Sequence, residues 1–307
     1  MRVTFFETLT ELAAADRRIV LLTGDIGFMA LDAFTSCHPD RFFNCGVAEQ
    51  NMVGVATGLA EAGFIPFVYS IAPFALLRPF EFIRNGPVLH NLPVRIVGVG
   101  AGVEYGPHGF THYALEDIAV ARTYPGLTVL APADFRQTRN VLQRTWDRAG
   151  PIYYRLGKDQ ETVVPGLDGR FAWDEPELVR EGRDVLLVTT SSIAAETAKA
   201  ADALTASGVS AAFAVVAQLN PAPIDALVRL MRGFPLVCSV ENHFPRGGLG
   251  SMLAEIASEH LRSCRVLRIG ASGDLSRSGS TAFMHRQLGL SAGQIAEAVT
   301  VALRQRA

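Results

Sequence analysis

Short apolar runs alternate along the chain with longer stretches in which apolar residues recur every three or four positions. The runs 19–25 (IVLLTGD), 41–47 (RFFNCGV), 65–71 (IPFVYSI), 93–100 (PVRIVGVG), 127–133 (LTVLAPA) and 151–157 (PIYYRLG) have strand length and little polar interruption. Helical patterns fall around them: an amphipathic N-terminal stretch, 48–63 closed by Gly63, 73–91 opening on Pro73, 115–125, and 135–150 with Asp134 placed as its cap. Strands apolar along their whole length, with helices between them, predict a parallel sheet covered on both faces.

Residues 158–182 are polar, mixed in charge and punctuated by Pro and Gly, as a linker should be. The alternation then restarts, with strand-like runs at 184–192, 209–219, 235–242 and 265–270 and helical patterns at 193–208, 223–233 and 251–261. The predicted fold class is therefore α/β, with two doubly wound domains. A mainly parallel-sheet domain spans 1–160, a linker 161–182, and a smaller α/β domain 183–307. Ligands of open α/β sheets sit beyond the carboxyl ends of the strands. Chemistry is thus sought just after residues 25, 47, 71, 100, 133 and 157.

Composition narrows the function classes. The 307 residues are 49% hydrophobic and 19% charged, enough for two cores, and the high apolar share suggests further area buried between subunits. A net charge of −2 gives no reason to expect nucleic acid or an anionic membrane as partner. The apolar runs are too short to span a bilayer, and residues 1–18 lack the order of a signal peptide. Cys37, Cys45, Cys238 and Cys264 form no CxxC and read as structural thiols of a cytoplasmic protein.

Glu49 opens a helix directly after a strand. A first-turn carboxylate gains roughly 0.3–1 kcal/mol from the helix dipole, so an ordinary structural role stands beside a catalytic one. The loop 98–117 (GVGAGVEYGPHGFTHYALED) lacks the last glycine of a dinucleotide fingerprint and carries no phosphate-loop lysine. Its His108 and His112 suit polar or proton-handling contacts with a substrate better than metal ligation. Phe74, in the first turn after a strand, is placed to stack on a flat ligand. Arg155 ends a strand, where it binds an anion or pairs across a subunit contact. The GGLGS turn (247–251) either cradles a phosphate or simply turns the chain from strand to helix.

Taken in order, PDRFFNCGVAEQNMVGVATGLA, PFEFIRN, THYALEDIAVAR, LTVLAPAD, IYYRLG and VENHFPRGGLGSMLAE resemble the C-terminal half of the transketolase family. The family includes deoxyxylulose-phosphate synthases and 2-oxo-acid dehydrogenase β subunits. The resemblance implies a pyrimidine-binding domain followed by a transketolase C-terminal domain. The diphosphate-binding domain, with its GDG motif, is missing, so a partner subunit should supply thiamine diphosphate's diphosphate site and the Mg²⁺ (or similar) ion. No metal is expected on this chain. A β–β contact in an α₂β₂ assembly is the natural expectation.

By the same resemblance, Glu49 would hydrogen-bond the aminopyrimidine ring and favour its imino tautomer, which deprotonates the thiazolium carbon. It should be buried where it exchanges a proton near neutral pH. Phe74 would stack on the pyrimidine and Asp25 would match the acidic residue after the first strand. His112 would contact the transferred two-carbon unit, and Arg155 a substrate phosphate. Three departures concern substrate: His108 stands where transketolases carry Asp, residues 26–32 (IGFMALD) are apolar and bulky, and Tyr113 replaces a Gln. The reading is a two-carbon (ketol or acyl) transferase active with an α-type partner. A pyruvate-decarboxylating subunit and a non-catalytic assembly subunit are the alternatives.

Overall fold

The computed structural model describes residues 1–27 and 29–305; Phe28, in the apolar stretch 26–32, lies outside them, as do residues 306 and 307. The first half supplies strands β1 (Ile19–Thr23), β2 (Phe42–Asn44), β3 (Ile65–Ile71), β4 (Arg95–Val99), β5 (Thr128–Leu130) and β6 (Ile152–Leu156). The second supplies β7 (Glu177–Arg180), β8 (Val185–Thr189), β9 (Ala211–Val215), β10 (Gln218–Asn220), β11 (Leu236–Val240) and β12 (Arg265–Ile269). One sheet runs β10-β5-β6-β4-β3-β1-β2 and the other β12-β11-β8-β9-β7. Pairing is parallel except where β10 meets β5 and β7 meets β9. β1, β4, β6, β8, β9 and β11 are buried along their whole length, as strands covered on both faces must be.

The covering helices are α1 (Arg2–Ala15), α2 (Asp32–Cys37), α3 (Glu49–Glu61), α4 (Phe80–Ile83), α5 (Asp117–Arg122) and α6 (Phe135–Thr145) on the first half. On the second they are α7 (Ala194–Ala206), α8 (Ile224–Met231), α9 (Leu249–His260), α10 (Thr281–Gln287) and α11 (Ala292–Arg304). Asp134 caps α6 as expected, its Oδ1 accepting from the Gln137 N–H at 2.8 Å. The single helix expected over 73–91 is instead the short α4 between two wider π-helical turns, Pro73–Leu77 and Arg84–Val88. Proline supplies the physical reason. Pro79 and Pro87 lack an N–H and crowd the preceding turn, so the segment cannot keep regular α-helical bonding. None of the helices among the described residues is long and apolar enough to cross a membrane.

Two strands depart from a simple two-domain reading. β7 arises inside the expected linker and lengthens the second sheet, and β10 leaves the second half to edge the first sheet. Ala131 N donates to Ala217 O at 2.7 Å, leading the chain into that crossing. The linker itself lies on α6: Asp134 Oδ2 accepts from Val164 N at 3.0 Å and Gln137 Nε2 donates to Arg170 O at 2.8 Å. One apolar cluster joins Val20 and Val68 of the first sheet to Leu186, Val188 and Leu253 of the second half.

A polar joint completes the contact. Arg155 and Asp117, both with side chains 0% exposed, pair at 2.8 Å, and the Tyr153 hydroxyl donates to the same Asp117 oxygen at 2.7 Å. Arg155 Nη2 also donates to the carbonyls of Ala114 (2.8 Å) and Asn242 (2.9 Å), tying the 100–116 loop to the second domain. Gly102 sits where this joint closes. Its φ of +63° suits glycine, and a Cβ there would overlap the Asn242 side chain. Removing one partner of a buried pair leaves the other charge uncompensated. Asp117→Ala should therefore cost about 3–5 kcal/mol in denaturant unfolding; a loss below about 1 kcal/mol would show that the pair does not hold the joint.

Candidate active site

Glu49 is the first residue of α3 and is 1% exposed. A carboxylate so placed lies on the positive end of the helix but away from water, so it needs polar neighbours. Arg78 Nη1 donates to its Oε2 at 2.6 Å, and Ser70 Oγ, at the end of β3, donates to Oε1 at 3.4 Å. Gly24, at the carboxyl end of β1, backs the same group, for a Cβ there would lie 3.5 Å from Oε1. Three strand or helix ends thus converge on one carboxylate, at the edge where the parallel topology puts ligand sites.

From Glu49 a chain of contacts runs outward. The Arg78 guanidinium carbon lies 4.2 Å from the Phe74 ring centroid, within cation–π range. Phe74 meets the His112 ring at 5.2 Å, edge to face, and His112 lies 5.0 Å from His108. Tyr105 touches both histidine rings, at 5.5 and 6.1 Å, and carries Lys158 Nζ 4.9 Å from its centroid. Gly100 makes room for it, since with φ +87° a Cβ there would overlap the Tyr105 ring. Burial lowers the His112 pKa below the ordinary imidazole value, and the neighbouring His108 pushes it the same way.

The expected residues fall into two groups. Glu49, Phe74, His108 and His112 come together, although His108 is exposed. Asp25 follows Gly24 at the same strand end, in a left-handed conformation (φ +59°), with its Oδ1 accepting from Asn44 Nδ2 at 2.8 Å. Arg155 lies elsewhere. Its side chain has no exposed surface for a phosphate, because the second domain roofs the strand end that the sequence leaves open. Tyr113 is buried at 2%, its hydroxyl donating to the carbonyls of Gly106 (3.1 Å) and Arg277 (3.2 Å), so it braces the loop. The GGLGS turn holds the chain's own carboxylate: Leu249 N and Gly250 N donate to Glu241 at 2.7 and 2.9 Å. Desolvation nevertheless raises Glu241 to about 7.

Arg78 is the residue that the sequence reading passed over. Its signal was present, an arginine four positions after the candidate stacking aromatic, on the segment following a strand.

Residues 1–161 match the family model described as transketolase, pyrimidine binding domain, and residues 174–295 the one described as transketolase, C-terminal domain. Two parallel-dominated sheets in that order define the C-terminal half of a thiamine-diphosphate-dependent transferase. The chain is 34% identical over 302 residues to a putative transketolase C-terminal section of Methanocaldococcus jannaschii, covering 97% of this chain and 95% of that one. It is 33% identical to a 6-deoxy-6-sulfo-D-fructose transketolase subunit of Clostridium sp., over 97% of this chain and 92% of the relative. A solved split-gene transketolase, an inactive β4 tetramer, superposes with a TM-score of 0.89 at 35% identity, covering 99% and 98% of the two chains. The chain belongs to the transketolase family, and in length and domain order it corresponds to the β-type subunits of split transketolases.

With its pKa lowered, His112 binds fewer protons folded than unfolded, so its contribution weakens the fold as pH falls through the ordinary histidine range. His108→Ala should raise the His112 midpoint in an NMR titration without restoring it, because burial, the larger cause, remains. An unmoved midpoint would show that the two rings do not sense each other.

Proposed function

We propose that this chain is the cofactor-activating subunit of a split transketolase that moves a two-carbon ketol or acyl unit. The observation that carries the reading is the 1%-exposed Glu49 at the start of α3, with Phe74 one contact away through Arg78. The donor set fits the aminopyrimidine half of thiamine diphosphate: a buried carboxylate for a ring nitrogen, and an aromatic face to stack on. When bound, the cofactor supplies a nucleophilic carbon that takes up and hands on the two-carbon unit. Glu49 holds or releases the proton at the ring nitrogen, and Phe74 keeps the ring in register with it. His112, neutral at pH 7 by the direction of its shift, donates to or accepts from an oxygen of the transferred unit. His108, more exposed, reads the rest of the substrate, and Asp25 orders the strand end beside the carboxylate.

The diphosphate and its Mg²⁺ belong, in this proposal, to a partner that carries a GDG-containing domain. Exposed apolar residues on the segments that bear the site support such a partner: Met29 (85%), Val47 (73%) and Phe110 (53%). We place the assembly as α₂β₂ with a β–β contact. The thiols at Cys37, Cys45 and Cys238 are free, which suits a reducing cytoplasm.

The test is reconstitution with the partner subunit, thiamine diphosphate and Mg²⁺, using hydroxypyruvate or pyruvate as donor. Hydroxypyruvate should turn over only with a sugar-type acceptor present, and Glu49→Gln should lower kcat by about 10²–10⁴-fold. Turnover of pyruvate alone would transfer the reading to a decarboxylating subunit, and full activity in Glu49→Gln would leave an assembly role.

A further inference from the structure

Arg78 makes, with one guanidinium, both of the contacts that the proposed function assigns to the aminopyrimidine. Its Nη1 donates to Glu49 Oε2 at 2.6 Å, and its central carbon lies 4.2 Å from the Phe74 centroid. The chemical likeness is close. A guanidinium and an aminopyrimidine are both flat, both present N–H donors at an edge, and both settle on an aromatic face. The two differ in charge and in attachment. Arg78 is tethered to the π-helical turn region just before α4, and its side chain is 37% exposed, so it has a way out to water that the 2%-exposed Glu49 side chain lacks.

We infer that Arg78 is a placeholder for the cofactor's pyrimidine. Before the cofactor binds, it neutralises the buried carboxylate and lies over the Phe74 ring. Cofactor entry then exchanges one planar donor for another, and the guanidinium swings out to solvent. Glu49 is paired in either state, which answers how a carboxylate this buried is tolerated before the cofactor arrives. Ser70 Oγ stays beside the other carboxylate oxygen in both states and holds the group's orientation during the exchange.

The inference rests on the reading of Glu49 given above and predicts something that reading does not. Cofactor binding competes with an internal ligand, so apparent affinity is reduced by the fraction of molecules in which Arg78 is docked. Removing the competitor should tighten binding. In the reconstituted two-subunit complex, R78M should lower the Kd for thiamine diphosphate, measured by titration calorimetry in Mg²⁺, by about fivefold to tenfold. R78K keeps a charge for Glu49 but lacks the flat fork, and should tighten binding by about threefold; it carries the test should R78M fail to assemble. In an E49Q background the anchor for Arg78 is weakened, so the further change R78M should alter the Kd by less than about twofold. Weaker or unchanged binding in R78M, or in R78K where that variant must stand in, overturns the placeholder, as does an undiminished R78M effect in E49Q. Failure of the underlying reading shows separately, as E49Q retaining full turnover.

Discussion

A charged guanidinium with no exposed surface has to find its partners inside the protein, and Arg155 finds them in two domains at once. Asp117 neutralises it, Tyr153 shares the same carboxylate oxygen, and the carbonyls of Ala114 and Asn242 accept from Nη2, while Nη1 has no hydrogen-bond partner among the described residues. Because Ala114 also exchanges both backbone bonds with Gly102, the loop between them is clamped at its base. That clamp sets His112 against Phe74, with His108 stacked beside His112. The geometry of the cleft is thus a consequence of how a charge is satisfied some distance from it.

The site has one side on regular elements and another on turns. Glu49, Gly24 and Ser70 stand at the ends of a helix and two strands, where backbone bonding fixes them. His108 and His112 stand on short turns braced by the Tyr113 hydroxyl against residue 277. On the function proposed above, the first side serves a cofactor common to a family and the second the substrate, which differs between relatives. Two of the three sequence departures, His108 and Tyr113, fall on the side built of turns or on its brace.

Much of this was legible beforehand because burial on both faces writes itself into sequence as apolar runs, and each run from 19 to 157 became a strand, although the edge strand β2 is largely exposed. Glu49 and Phe74 stood out as candidates from their places after β2 and β3, and the family resemblance, not position, gave them roles. Arg155 was read as facing a ligand because its own strand says only that it ends there; what covers that end comes from residues near 242. Arg78 was given no role because its partner, Glu49, lies twenty-nine residues earlier. The helix over 73–91 failed for a local reason, since apolar spacing outvoted Pro79 and Pro87. Helices α10 and α11, beyond the last apolar run considered, were not foreseen.

The excursion of β10 has a meaning for how such chains are inherited and handled. A strand from residues 218–220 completes the edge of a sheet otherwise drawn from residues 19–156, so the two halves are stitched rather than strung. A gene fragment stopping at the linker would encode a first domain with β5 bare along one side, an invitation to pair with another molecule. Shuffling between relatives would have to carry both pieces together.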